Sequence, residues 1–330
     1  MRRALLGKVI GSVRRFHRGY SEFSGSAYVP IGETAFSLSA DPRYEIKSDL
    51  TSLGVFIAWA CEEAWNPSYA ELSAYRAHDP KGLNVLYFQE KPVAMLASVR
   101  HHEFGFMGAY RVHPDYRGKG MGSVLADFSL QRLSYCKGIS IHAVLDQVDN
   151  YAKYGFQVVG SASRWAMDTT RFCHFGGPIS LSYDWSFKRN LNLDHVVALD
   201  ESVTGYRREN YWRYLFESAD ANIVGVHLRG QLLGVAVLLR CLEGFKFGAV
   251  YAPELPIAYH LISKMLKTIS PESAKDTRLQ IDIPSDTPYP NALATFSGFK
   301  KLFDVQKMVK GDSPDASPDA QYGIASLEIG

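Results

Sequence analysis

The chain has 330 residues, 46% of them hydrophobic and 21% charged, with a net charge of +2. That length suits two domains, and the small net charge excludes a strong field for nucleic acid or acidic lipid. The longest nearly unbroken apolar run, Leu232 to Leu239, is far shorter than the ~20 residues of a membrane-spanning helix, so neither membrane nor nucleic-acid partners are expected.

In chain order, the first segment is basic. Arg2, Arg3, Lys8, Arg14, Arg15 and Arg18 precede the first carboxylate, Glu22. An Arg-rich leader over residues 1–25, acid-free through its first twenty residues, has the composition of a mitochondrial presequence, and "RGYS" at Arg18 to Ser21 suits a cleavage site. A matrix address, or otherwise a cytoplasmic one, is the expectation. Cys61, Cys136, Cys173 and Cys241 stand far apart without a CxxC pair, which fits reduced thiols in an intracellular protein. Of the ten histidines only His101 and His102 adjoin, and no metal-ligand spacing occurs, so no metal is expected.

Lys47 to Trp65 reads as a helix, because Leu50, Leu53, Phe56, Ile57 and Ala60 follow a spacing of three and four. Asn66-Pro67 and Asp79-Pro80-Lys81-Gly82 break the chain. Asn84 to Arg100 reads as a hairpin turning at Glu90-Lys91-Pro92, and Phe104 to Val112 as the next strand. The stretch "RGKGMG", Arg117 to Gly122, follows, with Gly118, Gly120 and Gly122 at alternate positions. Then come a helix carrying Val124, Leu125, Phe128 and Leu133, a strand in "GISIHAVLD" and a short helix in "NYAKYGFQVV" that leads into another strand. Segments recur: Phe88 to Arg100 resembles His227 to Arg240, and Gly155-Phe156 resembles Gly298-Phe299. The two offsets, 140 and 143 residues, imply two copies of one fold. The divisions are a domain over 30–172, a linker over 173–192 and a second domain over 193–330. "GDSPDASPDA" reads as a flexible loop, and "YGIASLEI" after it as a closing strand.

"RGKGMG" has the makings of a phosphate cradle. Glycines let backbone N–H groups approach an anion, and a helix beginning near Gly122 turns its positive end toward the same place. A Walker loop would need GxxxxGK followed by Ser or Thr, but Gly120 follows Lys119 and His113 stands where the first glycine would be. A dinucleotide fingerprint would need GxGxxG after a first strand, whereas GxGxG sits here in mid-domain. The remaining pattern is R-x-x-G-x-G/A between a strand and a long helix. With "VHPDYRGKG" before it and "YAKYGF" after it, it resembles the signature of the GNAT acyltransferases.

That resemblance covers most of the chain and implies an α/β (α+β) fold of two GNAT-like domains. Each would be a mixed, mostly antiparallel sheet flanked by helices and splayed at its central strands. The second copy lacks R-x-x-G-x-G; "YAPELPIAYHLISKML" stands in its place, so that copy is expected to be degenerate. The resemblance further implies acetyl-CoA as co-substrate. Tyr110, Arg111 and Val112 would lie along its pantetheine arm, with the oxyanion donated to near Tyr110. Arg117, Gly118, Lys119, Gly120, Met121, Gly122 and Ser123 would hold its pyrophosphate. Tyr151 matches the general acid toward the departing thiolate.

The base is left open among Glu103, His102, His101, Glu62, Glu63 and a water chain. Trp65, Tyr69 and Tyr75 would suit an acceptor wall, and Arg207 and Arg208 an anionic group on the acceptor. The acceptor classes are a small amine, an amino acid, or a protein lysine or N-terminus. A CoA-binding sensor without turnover is the alternative to an enzyme.

Overall fold

A computed structural model describes residues 41–168, 185–269 and 278–330; the leader and most of the 173–192 linker lie outside them. The first half runs β1 (Tyr44–Lys47), α1 (Leu50–Glu62), α2 (Tyr69–His78), β2 (Leu83–Phe88), β3 (Lys91–His101), β4 (Phe104–Val112), α3 (Met121–Arg132), β5 (Gly138–Val144), α4 (Val148–Ala152) and β6 (Gln157–Asp168). The second runs β7 (Trp185–Lys188), α5 (Leu193–Thr204), α6 (Glu209–Glu217), β8 (Ala221–Leu228), β9 (Gln231–Arg240), β10 (Phe245–Tyr251), α7 (Leu255–Leu266), β11 (Arg278–Pro284), α8 (Pro288–Phe296), β12 (Lys300–Gly311) and β13 (Gln321–Gly323).

Local chemistry accounts for the helix starts. Asp49 Oδ1 accepts the Ser52 N–H at 2.8 Å at the head of α1, and Ser68 caps α2. The β2–β3 turn forces Gln89 and Glu90 to positive φ, 46° and 66°.

The strands form one continuous 13-stranded sheet, mostly antiparallel. Its centre is an exchange. β12, from the second half, lies between β5 and β6 of the first, and β6 lies between β12 and β11. Each half's sheet is extended by a strand of the other, β5 by β12 and β11 by β6. α2 packs on α6, and a single apolar core joins α1, α2, α5 and α6 over one face, with Tyr75 and Tyr211 at 4.7 Å. α3 and α7 cover the other face over separate cores.

The splay is present in both halves. β4 and β5 pair in parallel only from Phe104↔Gly138 to Met107↔Ile141, after which the two strands separate. β10 and β11 pair only from Phe245↔Leu279 to Phe247↔Ile281. Each splay begins at a bulge. Ala109 and Tyr110 together oppose Leu96, and Gly248 and Ala249 together oppose Val237. Ala109 has φ +49°, a left-handed value that costs a non-glycine residue energy.

Two readings of the sequence change. Trp185–Lys188, placed in the linker, is the edge strand β7 paired with β8. Of "YGIASLEI" only Tyr322 and Gly323 belong to a strand. Beyond them the chain leaves the sheet and runs into the space between the halves. Gly330 O accepts from Tyr75 Oη and, at 2.8 Å, from Arg208 Nη1.

Burial pushes His78 and His142 down to about 4, and His101 well below its ordinary value of 6.5. Between pH 6.5 and 4 the unfolded chain takes up protons that the folded chain refuses, so stability falls as pH falls through that window. Each of the first two histidines should cost roughly 3 kcal/mol by the lower end. Thermal melts at pH 7 and 4.5 should show a marked loss at the acid value; equal melting temperatures would contradict the assignment.

Candidate functional site

The β4–β5 splay opens a cleft of about 490 Å³. It runs from the glycine cradle, past Tyr110, Tyr151 and Tyr154, to an end walled by Glu63, Trp65, Arg111, His142, Phe303 and Glu328.

At the cradle, Gly118 and Gly120 have φ +71° and +80°. Gly120 caps α3 without a side-chain hydrogen bond, and the first helical bond is Val124 N to Gly120 O at 3.1 Å. The N–H groups of Met121, Gly122 and Ser123 therefore face out of the helix end without helical partners. A side chain added at Gly118 would meet nothing within 4 Å, so the space beside it is open to a ligand. Gly122 serves another purpose, because a side chain there would collide with Tyr110 Oη. Arg117 Nε donates to Val112 O at 3.2 Å, and Lys119 Nζ lies 5.4 Å from the Tyr116 ring centre. Unpartnered N–H groups, open space and local positive charge suit a pyrophosphate.

In the middle of the cleft, β4 has no strand partner on the β5 side beyond Met107, so its edge is free to hydrogen-bond an extended ligand. Burial pushes the Tyr151 hydroxyl up to about 12, and neighbouring Tyr154 adds to the effect. Burial likewise raises the Tyr110 hydroxyl. Both stay protonated near neutrality and can donate.

The far end brings together parts remote in sequence. Trp65 follows α1, and its carbonyl accepts from Arg164 Nη1 at 3.0 Å. The next residue, Asn66, bonds Gln280 and Glu243 in the second half. Phe303 and Val305 come from the exchanged strand β12, and Leu327 and Glu328 from the C-terminal segment. Arg164 donates twice to Asp282 at 2.7 Å and also meets Glu328 at 2.7 Å. His142 Nδ1 lies 2.9 Å from Leu327 O, which directs its proton there and leaves Nε2 as the acceptor.

Arg111 turns its side chain away from the cradle. Its Nη2 donates to Glu62 and its Nε faces Glu63, both at 2.7 Å, over the Trp59 ring at 4.7 Å.

Other candidates fall elsewhere. Glu103 and His102 occupy the β3–β4 turn at the paired end of β4, where Glu103 meets Lys137 at 2.8 Å, and neither lines the cleft. His101 is buried against His78. Tyr75 is fully buried, and Tyr69 is exposed outside the cleft. Arg207 pairs with Glu201, and Arg208 is sealed against Asp200, so neither faces an acceptor. His142 and Glu328 were not singled out from the sequence. The only signal was a histidine inside an apolar strand and an acid in a segment read as a strand.

The corresponding splay of the second half is filled by the chain itself. β13 pairs with β10 at Val250↔Gly323 and Tyr251↔Gln321, and Ile324 N donates to Asp282 O of β11 at 2.8 Å. Glu254 and Pro256 head α7 where the first half has glycines. The described residues hold no group of three or more metal-ligating side chains. No described helix is long and apolar enough to cross a membrane.

Two family models, both described as "Acetyltransferase (GNAT) domain", match residues 46–167 and 196–323. A holothin acyltransferase from Pseudoalteromonas sp. is 26% identical over 277 residues, covering 82% of this chain and 89% of the relative. A solved Pyrococcus horikoshii structure, described as a candidate acetyltransferase, superposes with a TM-score of 0.69 at 14% identity, over 95% of this chain and 100% of that one. A tandem GNAT protein from the clavulanic acid biosynthesis pathway superposes with a TM-score of 0.58 at 15% identity, over 86% and 100%.

Gly108, at the mouth of the splay, has Glu328 O directly against it, and a side chain there would collide with that carbonyl. Gly108→Ala should destabilise the protein by about 1–3 kcal/mol in urea unfolding, through displacement of the C-terminal segment. Unchanged stability would show that the contact carries nothing.

Proposed function

The chain belongs to the GNAT acetyltransferase family, and from that premise we propose that it transfers an acetyl group from acetyl-CoA to a primary amine bound at the far end of the β4–β5 cleft. One observation carries this reading. A single cleft joins an open phosphate cradle, an unpartnered strand edge and buried, protonated tyrosines, whereas the equivalent splay of the second half is filled by β13.

Acetyl-CoA supplies an activated acyl group on a thioester. The protein's part is to hold and polarise it. The α3 N-terminus and the open face of Gly118 take the pyrophosphate, and Arg117 adds charge at its edge. The free edge of β4 aligns the pantetheine arm, as an added strand would. The bulge at Ala109–Tyr110 turns backbone N–H groups out of the ladder, toward the oxygen on which negative charge develops. Tyr151 donates its proton to the departing sulfur; the raised pKa keeps that proton in place until it is needed. His142, neutral throughout the working pH range and pinned through Nδ1, takes the place of Glu103 and His102 as the group that accepts a hydrogen bond from the attacking amine. The acceptor's ammonium first passes one proton to water in the cleft and attacks as the free amine; the proton its nitrogen loses on forming the amide restores Tyr151.

The second domain has a structural role here: it supplies β12 and the C-terminal segment to the acceptor end. Calorimetry should find one acetyl-CoA bound per chain; no binding would sink the proposal, and two sites would contradict the account of the second splay. Tyr151→Phe should lower kcat by about 10²–10⁴ while leaving acetyl-CoA affinity within a few-fold. Unchanged thiol release would remove Tyr151 from the mechanism.

A further inference from the structure

The acceptor end of the cleft carries an unbalanced charge. On one wall, Arg164 and Lys246 face Asp282, Glu71 and Glu328, two cations against three carboxylates. Arg164, Lys246, Asp282 and Glu71 are sealed from water, and Glu328 is the member that reaches the cleft. On the opposite wall, Arg111 faces Glu62 and Glu63, one cation against two carboxylates, and Glu63 lines the cleft. Lys307 stands opposite His142 in the β12–β5 register and helps to lower its pKa, and the Asp286 carboxylate acts against the Lys307 charge. Each wall thus carries one more carboxylate than cations; burial raises the pKa of Glu71, which is sealed away from the cleft, while Glu328 and Glu63 line it. The cations that could neutralise an acceptor carboxylate are already engaged, because Arg207 and Arg208 pair with Glu201 and Asp200 away from the cleft.

Two further observations point to a ligand at this end. Arg111 is 8% exposed, lines the cleft, and its Nη1 has no hydrogen-bond partner. That N–H can donate to an oxygen of the acceptor, and the two carboxylates already on Arg111 offset its charge and weaken its pull on a third. Trp65 and Phe303 add aromatic surface to the same end, and Phe303 is 38% exposed.

We propose that the acceptor is a cationic primary amine without a carboxylate: its ammonium group is held by Glu328 and Glu63, and its apolar body lies against Trp65 and Phe303, with any oxygen it carries neutral, as in an amide. The proposal rests on the acyl-transfer reading and narrows its substrate class. It excludes free amino acids such as glycine, whose carboxylate would enter a site that already holds excess negative charge. Glu328 comes from the second half of the chain, so the degenerate domain selects the substrate of the first.

Phenylalaninamide and phenylalanine share a side chain and an α-amine and differ in carrying an amide or a carboxylate, and they serve as probes at about pH 6, where both amines are ammonium. Each is titrated calorimetrically into the full-length protein saturated with CoA. The amide should bind at least about 100-fold more tightly than the acid. Glu328→Gln should weaken the amide about 10-fold or more and leave acetyl-CoA affinity unchanged, and Glu328→Asp should recover part of the loss. Should Glu328→Gln fail to fold, Glu63→Gln, outside the Arg164 network, gives the same comparison. Equal affinities for the two probes, no binding of either, or an amide affinity indifferent to both substitutions would overturn the proposal. Thiol release from acetyl-CoA is followed separately: its absence with every amine would sink the acyl-transfer reading, while the binding preference alone decides the class of acceptor.

Discussion

Strands β12 and β6 cross between the two halves of the molecule, and the rest of the structure depends on that crossing. Each is a 12-residue strand hydrogen-bonded on both edges, so the halves cannot part without breaking three ladders at once, β5–β12, β12–β6 and β6–β11. The exchange also settles where the cleft ends. β5 would be an open edge without β12; with it, Phe303 and Val305 wall a site whose phosphate cradle lies nearly two hundred residues earlier. A buried Arg164–Asp282 pair spans the same crossing, bidentate and about 1% exposed on each side. Such a pair adds little net stability, but breaking it would leave an uncompensated buried charge, which fixes the register of β6 on β11.

The C-terminal segment explains why two copies of one fold behave differently. Both copies keep the bulge and the splay. In the second copy, β13 hydrogen-bonds the free edge of β10, the position that the first copy leaves to a ligand. The segment then continues across the interface. Leu327 O fixes His142, Glu328 packs on Gly108, and Gly330 meets Tyr75 and Arg208. Filling one slot and furnishing the other are the work of ten consecutive residues.

The cradle shows how like residues come to differ in function. Three glycines at alternate positions look equivalent. Gly118 leaves open space, Gly120 adopts a left-handed turn that heads α3, and Gly122 makes room for the Tyr110 hydroxyl. Arg111, next to Tyr110, points to the opposite face and joins the acceptor end. Adjacent strand residues alternate sides, so a single strand serves both substrates.

Read alone, the sequence determined the elements of the first half other than β1 and α2, the glycine cradle and its failure against other phosphate motifs, the short helix that carries Tyr151, and the internal repeat whose second copy lacks the cradle. These rest on short-range rules: hydrophobic period, turn chemistry and glycine spacing act within ten or fifteen residues and can be read locally. The tertiary structure alone decided that each half borrows a strand from the other, that "YGIASLEI" leaves the sheet, and that Glu103 and His102 lie outside the cleft while His142 and Glu328 line it. Those outcomes depend on pairings between β12 and β5 and between Glu328 and Arg164, more than 150 residues apart. No local pattern encodes which of several similar strands will pair with a given edge; the closing of two cores at once selects it.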